Sequence, residues 1–240
     1  MRRFFVEHVR NGRAELSGAD AHHLTRVLRV EIGQQYEISD NRAVYLAEVE
    51  SARKERVVFQ TISKLDSSEP PVHVILCASL IKFDRFEGMI EKATELGVAR
   101  IVPVIAVRTE RGLDKAAHKR LERWRRIAVE ASQQSRRAHL PEIGEPARWR
   151  DALSIVAESR YALDEDPGAS PLATAFPETR KSSDTVALLV GPEGGWTDDE
   201  RAGFTAAGWA PASLGPSILR AETAALAALA VVNAAWLAKA

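Results

Sequence analysis

Residues 186–223 read VALLVGPEGGWTDDERAGFTAAGWAPASLGPSILRAET, and the reading of this stretch decides the fold. It holds two irregular loops, Gly191-Pro192-Glu193-Gly194-Gly195 and Leu214-Gly215-Pro216-Ser217-Ile218-Leu219-Arg220. Each loop follows a short apolar segment, 186–190 or 212–214, and precedes a helix-like one, 200–208 or 223–238. One such loop alone is a tight turn, because glycine supplies positive φ at no steric cost. Two at adjacent strand ends form a cradle whose backbone N–H and C=O groups can grip an adenine edge and a ribose. A side chain at Gly194 is expected to enter that cradle. Glu193 adds a carboxylate to the first loop, and Arg220 and Glu222 follow the second at a helix start, where Glu222 also suits the helix dipole.

The common nucleotide and hydrolase signatures are absent. GPEGG lies late in the chain and does not fit GxGxxG. No GxxxxGK[ST], GxSxG or HExxH occurs. His22-His23 is not a metal pair, since adjacent helical residues point apart. Asp164-Glu165-Asp166 is expected to be an exposed acidic loop rather than a divalent-ion site. No metal is expected.

Upstream of the loops the same alternation of strand and helix continues. VHVILCASL, 72–80, is a continuous apolar run, as in a strand covered on both faces. Asp84 is placed to cap RFEGMIEKATELG, with Phe86, Met89, Ile90, Ala93 and Leu96 as an apolar stripe. RIVPVIAV, 100–107, is the next strand, and Pro103 suits an edge or a strand end. Residues 115–135 read as a basic helix with Leu121, Trp124, Ala128 and Ala131 inward. Further short strands fall at 161–163, 186–190 and 212–214. This predicts a mostly parallel α/β sheet.

Residues 1–63 have a different period. FFVEHV, YEISD, AVYLAEVE and RVVFQTIS are short, β-branched or alternating runs. One helix interrupts them: Asp20 can cap AHHLTRVLR, with Leu24, Val27 and Leu28 inward and Arg26 and Arg29 outward. This predicts a small β-barrel domain. KLDSSEPP, 64–71, is polar, ends in Pro-Pro and marks the boundary between the two parts.

The totals narrow the class. The chain has 240 residues, 45% of them hydrophobic, and zero net charge. Residues 108–140 carry ten Lys/Arg against four Asp/Glu, whereas 141–210 carry six against thirteen. The basic strip can bind phosphate or be a solvated helix face. The single Cys77 excludes an internal disulfide and is expected to be buried and inert. The N-terminus has no secretory pattern. The apolar run 223–238 is shorter than the ~20 residues that span a bilayer. A cytoplasmic protein with no membrane partner is expected.

VGPEGGWTDDE followed by SLGPSILRAETA closely resembles the signature of the ribosomal RNA small-subunit methyltransferase E family, of the SPOUT class. RRFF, HHLTRVLR, KFDRFEGMIEKATELGV and RWRRIAVEASQQSRRAHLPEI extend the resemblance over essentially the whole chain. The resemblance implies a PUA-like RNA-binding β-barrel over 1–68 and an α/β SPOUT methyltransferase domain with a deep trefoil knot over 72–240. It implies a homodimer, to which the Ala-rich 223–238 helix can contribute. It implies methylation of N3 of a specific uridine in 16S rRNA near the decoding centre of the small subunit, with S-adenosylmethionine as donor. Leu189, Gly191, Pro192, Glu193, Gly194, Gly195, Leu214, Gly215, Ile218, Leu219 and Thr223 would surround the donor. Arg220 would stabilise charge on a uracil oxygen, unless it only pairs with Glu222. Glu193 or Glu222 would accept the N3 proton if burial raised its affinity for it. RNA contacts would come from Arg2, Arg3, Arg26, Arg29, Arg108, Arg136 and Arg137. One position departs: the family pattern has LGPRILR where this chain has Ser217, and serine cannot make a bidentate contact. Another RNA substrate, or a non-catalytic rRNA-binding assembly factor, therefore stays open.

Overall fold

The computed structural model describes residues 2–67, 70–166 and 168–238. The chain divides into two compact units. The first runs to residue 69 and takes in Ser132–Leu140 as well; the second holds Pro70–Ala131 and Pro141–Ala240.

The first unit contains β1 (Arg3–Phe5), β2 (Val9–Arg10), β3 (Arg13–Ser17), α1 (Gly18–Arg26), β4 (Gln35–Ser39), β5 (Val44–Arg53) and β6 (Arg56–Leu65). They form one sheet in the order β1-β4-β5-β6-β3-β2, antiparallel except for the β1–β4 pair. Strict alternation drives this: along β3, Ala14 and Leu16 point inward and Arg13, Glu15 and Ser17 outward. Phe4, Leu24, Ile38, Val49, Val57 and Phe59 fill the core. Helix α1 departs from its expected form. Its N-cap is Ser17, so Asp20 lies in the first turn, where its charge still favours the helix dipole. It also ends at Arg26, which leaves Val27 exposed and Ala21 and Leu24 buried.

The inclusion of 132–140 in this unit has a hydrogen-bonded cause. Ser39 Oγ donates to Ala138 O (2.6 Å), Leu140 N donates to Asn41 Oδ1 (2.7 Å), and Arg3 Nη1 donates to Arg136 O. The SRRAHL segment is thus stitched to β1 and to the β4–β5 turn.

The second unit contains β7 (His73–Ser79), α2 (Phe83–Glu95), β8 (Arg100–Ile105), α3 (Leu113–Gln134), β9 (Glu142–Ile143), β10 (Ala147–Arg148) and α4 (Trp149–Ala152). It continues with β11 (Ser159–Leu163), β12 (Ser170–Pro171), β13 (Thr185–Val190), α5 (Asp198–Ala206), β14 (Ala210–Ser213) and α6 (Ala221–Leu237). Every strand pair is parallel, in the order β10-β8-β7-β13-β11-β14-β12, with β9 also beside β8. Both faces of β7 and β13 are covered. Val74, Leu76, Val186 and Leu188 join the cluster with Phe86, Trp124 and Leu229; Cys77, Ala187 and Leu189 join that with Trp149, Trp196, Phe204 and Trp209. Burial pushes the Cys77 thiol up to about 12, which keeps it protonated and inert.

Three expectations for this unit shift in detail. Pro103 lies in β8, which has neighbours on both sides, yet β9 pairs with 100–101 and β10 with 104–105. The outer ladder is interrupted where proline cannot donate. In α2, Lys82 is the N-cap and Asp84 lies in the first turn. Leu96 is the C-cap and partly exposed, so the buried stripe ends at Ala93 and Thr94. Asn233, the polar interruption of α6, donates Nδ2 to Leu96 O, tying α6 to the end of α2. No helix among the described residues is long and apolar enough to cross a membrane.

Candidate functional site

In parallel sheets the C-terminal strand ends open on one edge, and ligands bind there. Beyond the ends of β11, β13 and β14 lies a cavity of about 360 Å³. The loop after β13 contributes Gly191, Pro192, Glu193, Gly195 and Trp196; the loop after β14 contributes Leu214, Gly215, Ser217, Ile218, Leu219 and Arg220. The two strands are not neighbours, contrary to the sequence expectation, because β11 lies between them. A third segment therefore enters the wall: Leu163, Asp164 and Glu165. Arg85 of α2 and Arg201 of α5 complete its charged lining.

The first loop is held by side chains around it. Trp196 Nε1 donates to Leu163 O at 2.9 Å, which joins the β11 and β13 loops. A Cβ on Gly191 would lie 3.1 Å from the Trp196 ring, so any side chain there would press on that ring. Arg85 pairs with the Glu193 carboxylate. Thr197 and Glu200 form a capping box at the start of α5. Glu200 is fully buried, and its other oxygen accepts from Val107 N at 2.8 Å. The next residue, Arg108, donates Nη1 to Gly194 O (2.8 Å) and Trp196 O (3.3 Å). This carboxylate is tolerated at 0% exposure because both of its oxygens accept hydrogen bonds.

The acidic triplet is not uniformly exposed. Asp164 is only 5% exposed at its side chain and accepts two bonds from Arg201, at 2.8 and 3.0 Å. That carboxylate pushes the Arg201 guanidinium above its ordinary range. No cluster of metal-ligating side chains occurs among the described residues.

Of the residues expected around a donor, Gly191, Pro192, Glu193, Gly195, Leu214, Gly215, Ile218 and Leu219 line the cavity. Leu189 is buried in the core beneath it, and Thr223 is exposed outside its wall. Gly194 also lies outside the wall: a Cβ there would meet the Arg108 side chain at 3.3 Å rather than the cavity. Arg220 is in the wall and exposed, and no ion pair joins it to Glu222 among the described residues. Glu222 is not in the wall, and its Oε2 is buried without a hydrogen-bond partner.

The arginines expected at RNA divide by environment. Arg2, Arg26, Arg29 and Arg136 are exposed. Arg3 is buried against Glu37 (2.8 Å) and the Arg136 carbonyl. Arg137 donates to His139 O, and burial pushes its guanidinium down to about 10. Arg108 is committed to the first loop. Along α3, Arg120 and Arg123 share Glu87, Arg125 meets Glu122 and Glu145, and Arg126 meets Glu130.

Sequence reasoning missed Arg85, Asp164, Glu165, Trp196 and Arg201. The TDDE box after GPEGGW signals the start of α5, and the acidic triplet directly after a strand marks a third loop. Only the strand order joins that loop to the other two.

Residues 68–233 match the RNA methyltransferase domain, and residues 16–62 match the RNA methyltransferase PUA domain. Ribosomal RNA small subunit methyltransferase E of Synechocystis sp. is 37% identical over 91% of this chain and 72% of that protein. Its namesake from Bacillus subtilis is 30% identical over 97% and 96%. The crystal structure of ribosomal RNA small subunit methyltransferase E from Neisseria gonorrhoeae, bound to S-adenosyl methionine, matches with a TM-score of 0.86 at 30% identity, over 98% of this chain and 97% of that one. With a PUA-like first unit, a parallel-sheet second unit and these relatives along its length, the chain belongs to the ribosomal RNA small subunit methyltransferase E family.

Proposed function

We propose that this protein transfers the methyl group of S-adenosylmethionine to N3 of a specific uridine in 16S rRNA near the decoding centre. The observation that carries the reading is the cavity walled by both glycine loops, in a chain whose Neisseria relative was solved with that donor bound. Its volume falls within the ~300–1,000 Å³ of small-molecule sites. Gly191, Gly195 and Gly215 expose backbone to an adenine and ribose, while charged side chains remain for the polar end. When bound, the donor supplies an activated methyl on sulfonium sulfur.

The residues then have two tasks: to take the uracil N3 proton and to hold the charge that develops on a ring oxygen. Arg220 suits the second, because its exposed guanidinium reaches the cavity without an ion pair to Glu222. For the first, Glu193 is the carboxylate in the wall and Glu222 carries an unpartnered buried oxygen. Orientation of the two reactants supplies much of the remaining rate.

The wider assignment follows the family. Residues 1–68 form the RNA-binding domain and 72–240 the SPOUT domain, whose knot would thread the loops around the cavity. Arg2, Arg26, Arg29 and Arg136 are the cations exposed for rRNA phosphates. A homodimer would cover apolar side chains such as Ile218, 82% exposed. A cytoplasmic location suits an enzyme acting on ribosomal subunits. Ser217 in the cavity wall supports one variant reading, a related RNA target bound without the arginine contact.

The test is methyl transfer from labelled donor to small subunits lacking the modification, with the product nucleoside identified by mass spectrometry. N3-methyluridine in 16S rRNA is the expected result. No transfer by protein that binds the donor would sink the catalytic reading. A methyl group on a pyrimidine carbon or ribose hydroxyl would sink the N3 assignment.

A further inference from the structure

Three carboxylates and three guanidinium groups line the cavity. Asp164 is bound by Arg201 through two hydrogen bonds, and Glu193 is paired with Arg85. Two charged side chains remain: Glu165 and Arg220 make no side-chain hydrogen bond or ion pair among the described residues. Arg201 lies near enough for Glu165 to act on its charge, but its hydrogen bonds run to Asp164 and Trp196 O. The Glu165 carboxylate lies over the first glycine loop: Oε1 is 3.1 Å from the point that a Cβ on Gly195 would occupy. Gly195 has φ of +69°, so its lack of a side chain both permits the turn and keeps the space before this carboxylate open.

A free anion in a partly enclosed wall is best satisfied by a cation held in contact. We propose that Glu165 binds the cationic pole of the methyl donor and so selects the sulfonium form over its neutral-sulfur product. This rests on the reading of the cavity as the donor site. The donor carries two cations, a sulfonium and an α-ammonium, and a ribose diol can also meet a carboxylate. Three ligands separate these contacts. S-adenosylmethionine has both cations, S-adenosylhomocysteine keeps only the ammonium, and 5′-methylthioadenosine keeps neither but retains the ribose.

The experiment is calorimetric titration of wild-type protein and Glu165→Gln with each of the three. The substitution is nearly isosteric and lies at an exposed position, and unchanged thermal melting would verify the fold. The expected result is about tenfold weaker binding of S-adenosylmethionine and nearly unchanged binding of the other two. Wild-type protein should lose preference for S-adenosylmethionine as salt rises, and the variant should not. Equal loss for S-adenosylmethionine and S-adenosylhomocysteine, with 5′-methylthioadenosine unaffected, would overturn selection of the sulfonium and assign the contact to the ammonium. Equal loss for all three, or no loss for any, would overturn the proposal. If wild-type protein binds none of them, the donor-site reading fails instead.

Discussion

The two glycine loops of the cavity have similar compositions and opposite construction. The first is pinned from several sides: Trp196 packs against Gly191, Arg108 holds Gly194 O and Trp196 O, Arg85 pairs with Glu193, and buried Glu200 anchors the helix that follows. The second is exposed at every position from 215 to 220. Among the described residues its bonds are two long ones between Ser213 and Gly215, at 3.2 and 3.3 Å, and the one that Arg220 O accepts from Ala224 N at the start of α6, at 2.8 Å. Glycine content therefore does not set the rigidity of a loop. What sets it is whether neighbouring elements bring donors, acceptors and packing surface to it. Here the held loop is braced by its neighbours, and the open one carries the exposed Arg220 and Ile218.

The comparison breaks most readily at its chemical end. Arg220→Ala, on the open loop, should lower the methyl-transfer kcat by about 10²–10³-fold with donor affinity retained. Single-turnover kinetics alongside calorimetry would check this, and near-normal turnover would move the charge-stabilising role elsewhere. Gly191→Val, on the held loop, should weaken donor binding by about 10–100-fold, because the added carbons press on a buried ring that is also hydrogen-bonded to Leu163 O. Titration of the variant with donor measures it; unchanged affinity would mean that the loop is not held as described.

Glu200→Ala removes the anchor without touching the cavity. It should cost about 1–2 kcal/mol of stability in urea unfolding, since Val107 N and Thr197 N lose their acceptor in a part-buried place. Amide exchange should then quicken across 191–196 and remain as it was across the exposed 215–220, where rapid exchange is expected in the wild type too. Ser217→Arg should have the smallest effect. It adds one cation to the open loop, so RNA affinity should rise severalfold at low salt, with the salt slope steeper by about one unit. A flat response would show that position 217 does not approach phosphate.

Much of the architecture is legible in particular residues. The alternation of Ala14 and Leu16 announces a half-buried strand, and VHVILCASL announces one covered on both faces. Both arise from local period against burial. The stripe Phe86, Met89, Ile90 and Ala93 specifies the inner face of α2. Helix ends are less legible. Asp20 and Asp84 look like caps, yet the N-caps are Ser17 and Lys82, three and two residues earlier. The arginines are the least legible class. Arg3, Arg108 and Arg137 read like phosphate ligands, but the first meets Glu37, the second a loop carbonyl and the third a buried setting. A guanidinium has the same five donors whether its acceptor is a phosphate or a carbonyl, so type alone does not assign its partner.

By itself the sequence determined the two-part organisation, the periods that bury each element, and the two glycine loops together with Arg220. These are local properties: side-chain period, backbone freedom and turn chemistry act within a few residues of the chain. Only the tertiary structure decided that β11 lies between β13 and β14, that Asp164 and Glu165 therefore join the cavity, and that 132–140 belongs with the first unit. It also decided that one glycine loop is held and the other open. The physical reason is that pairing across a sheet and salt bridges between distant segments depend on where the chain returns in space, and no short-range pattern encodes that return.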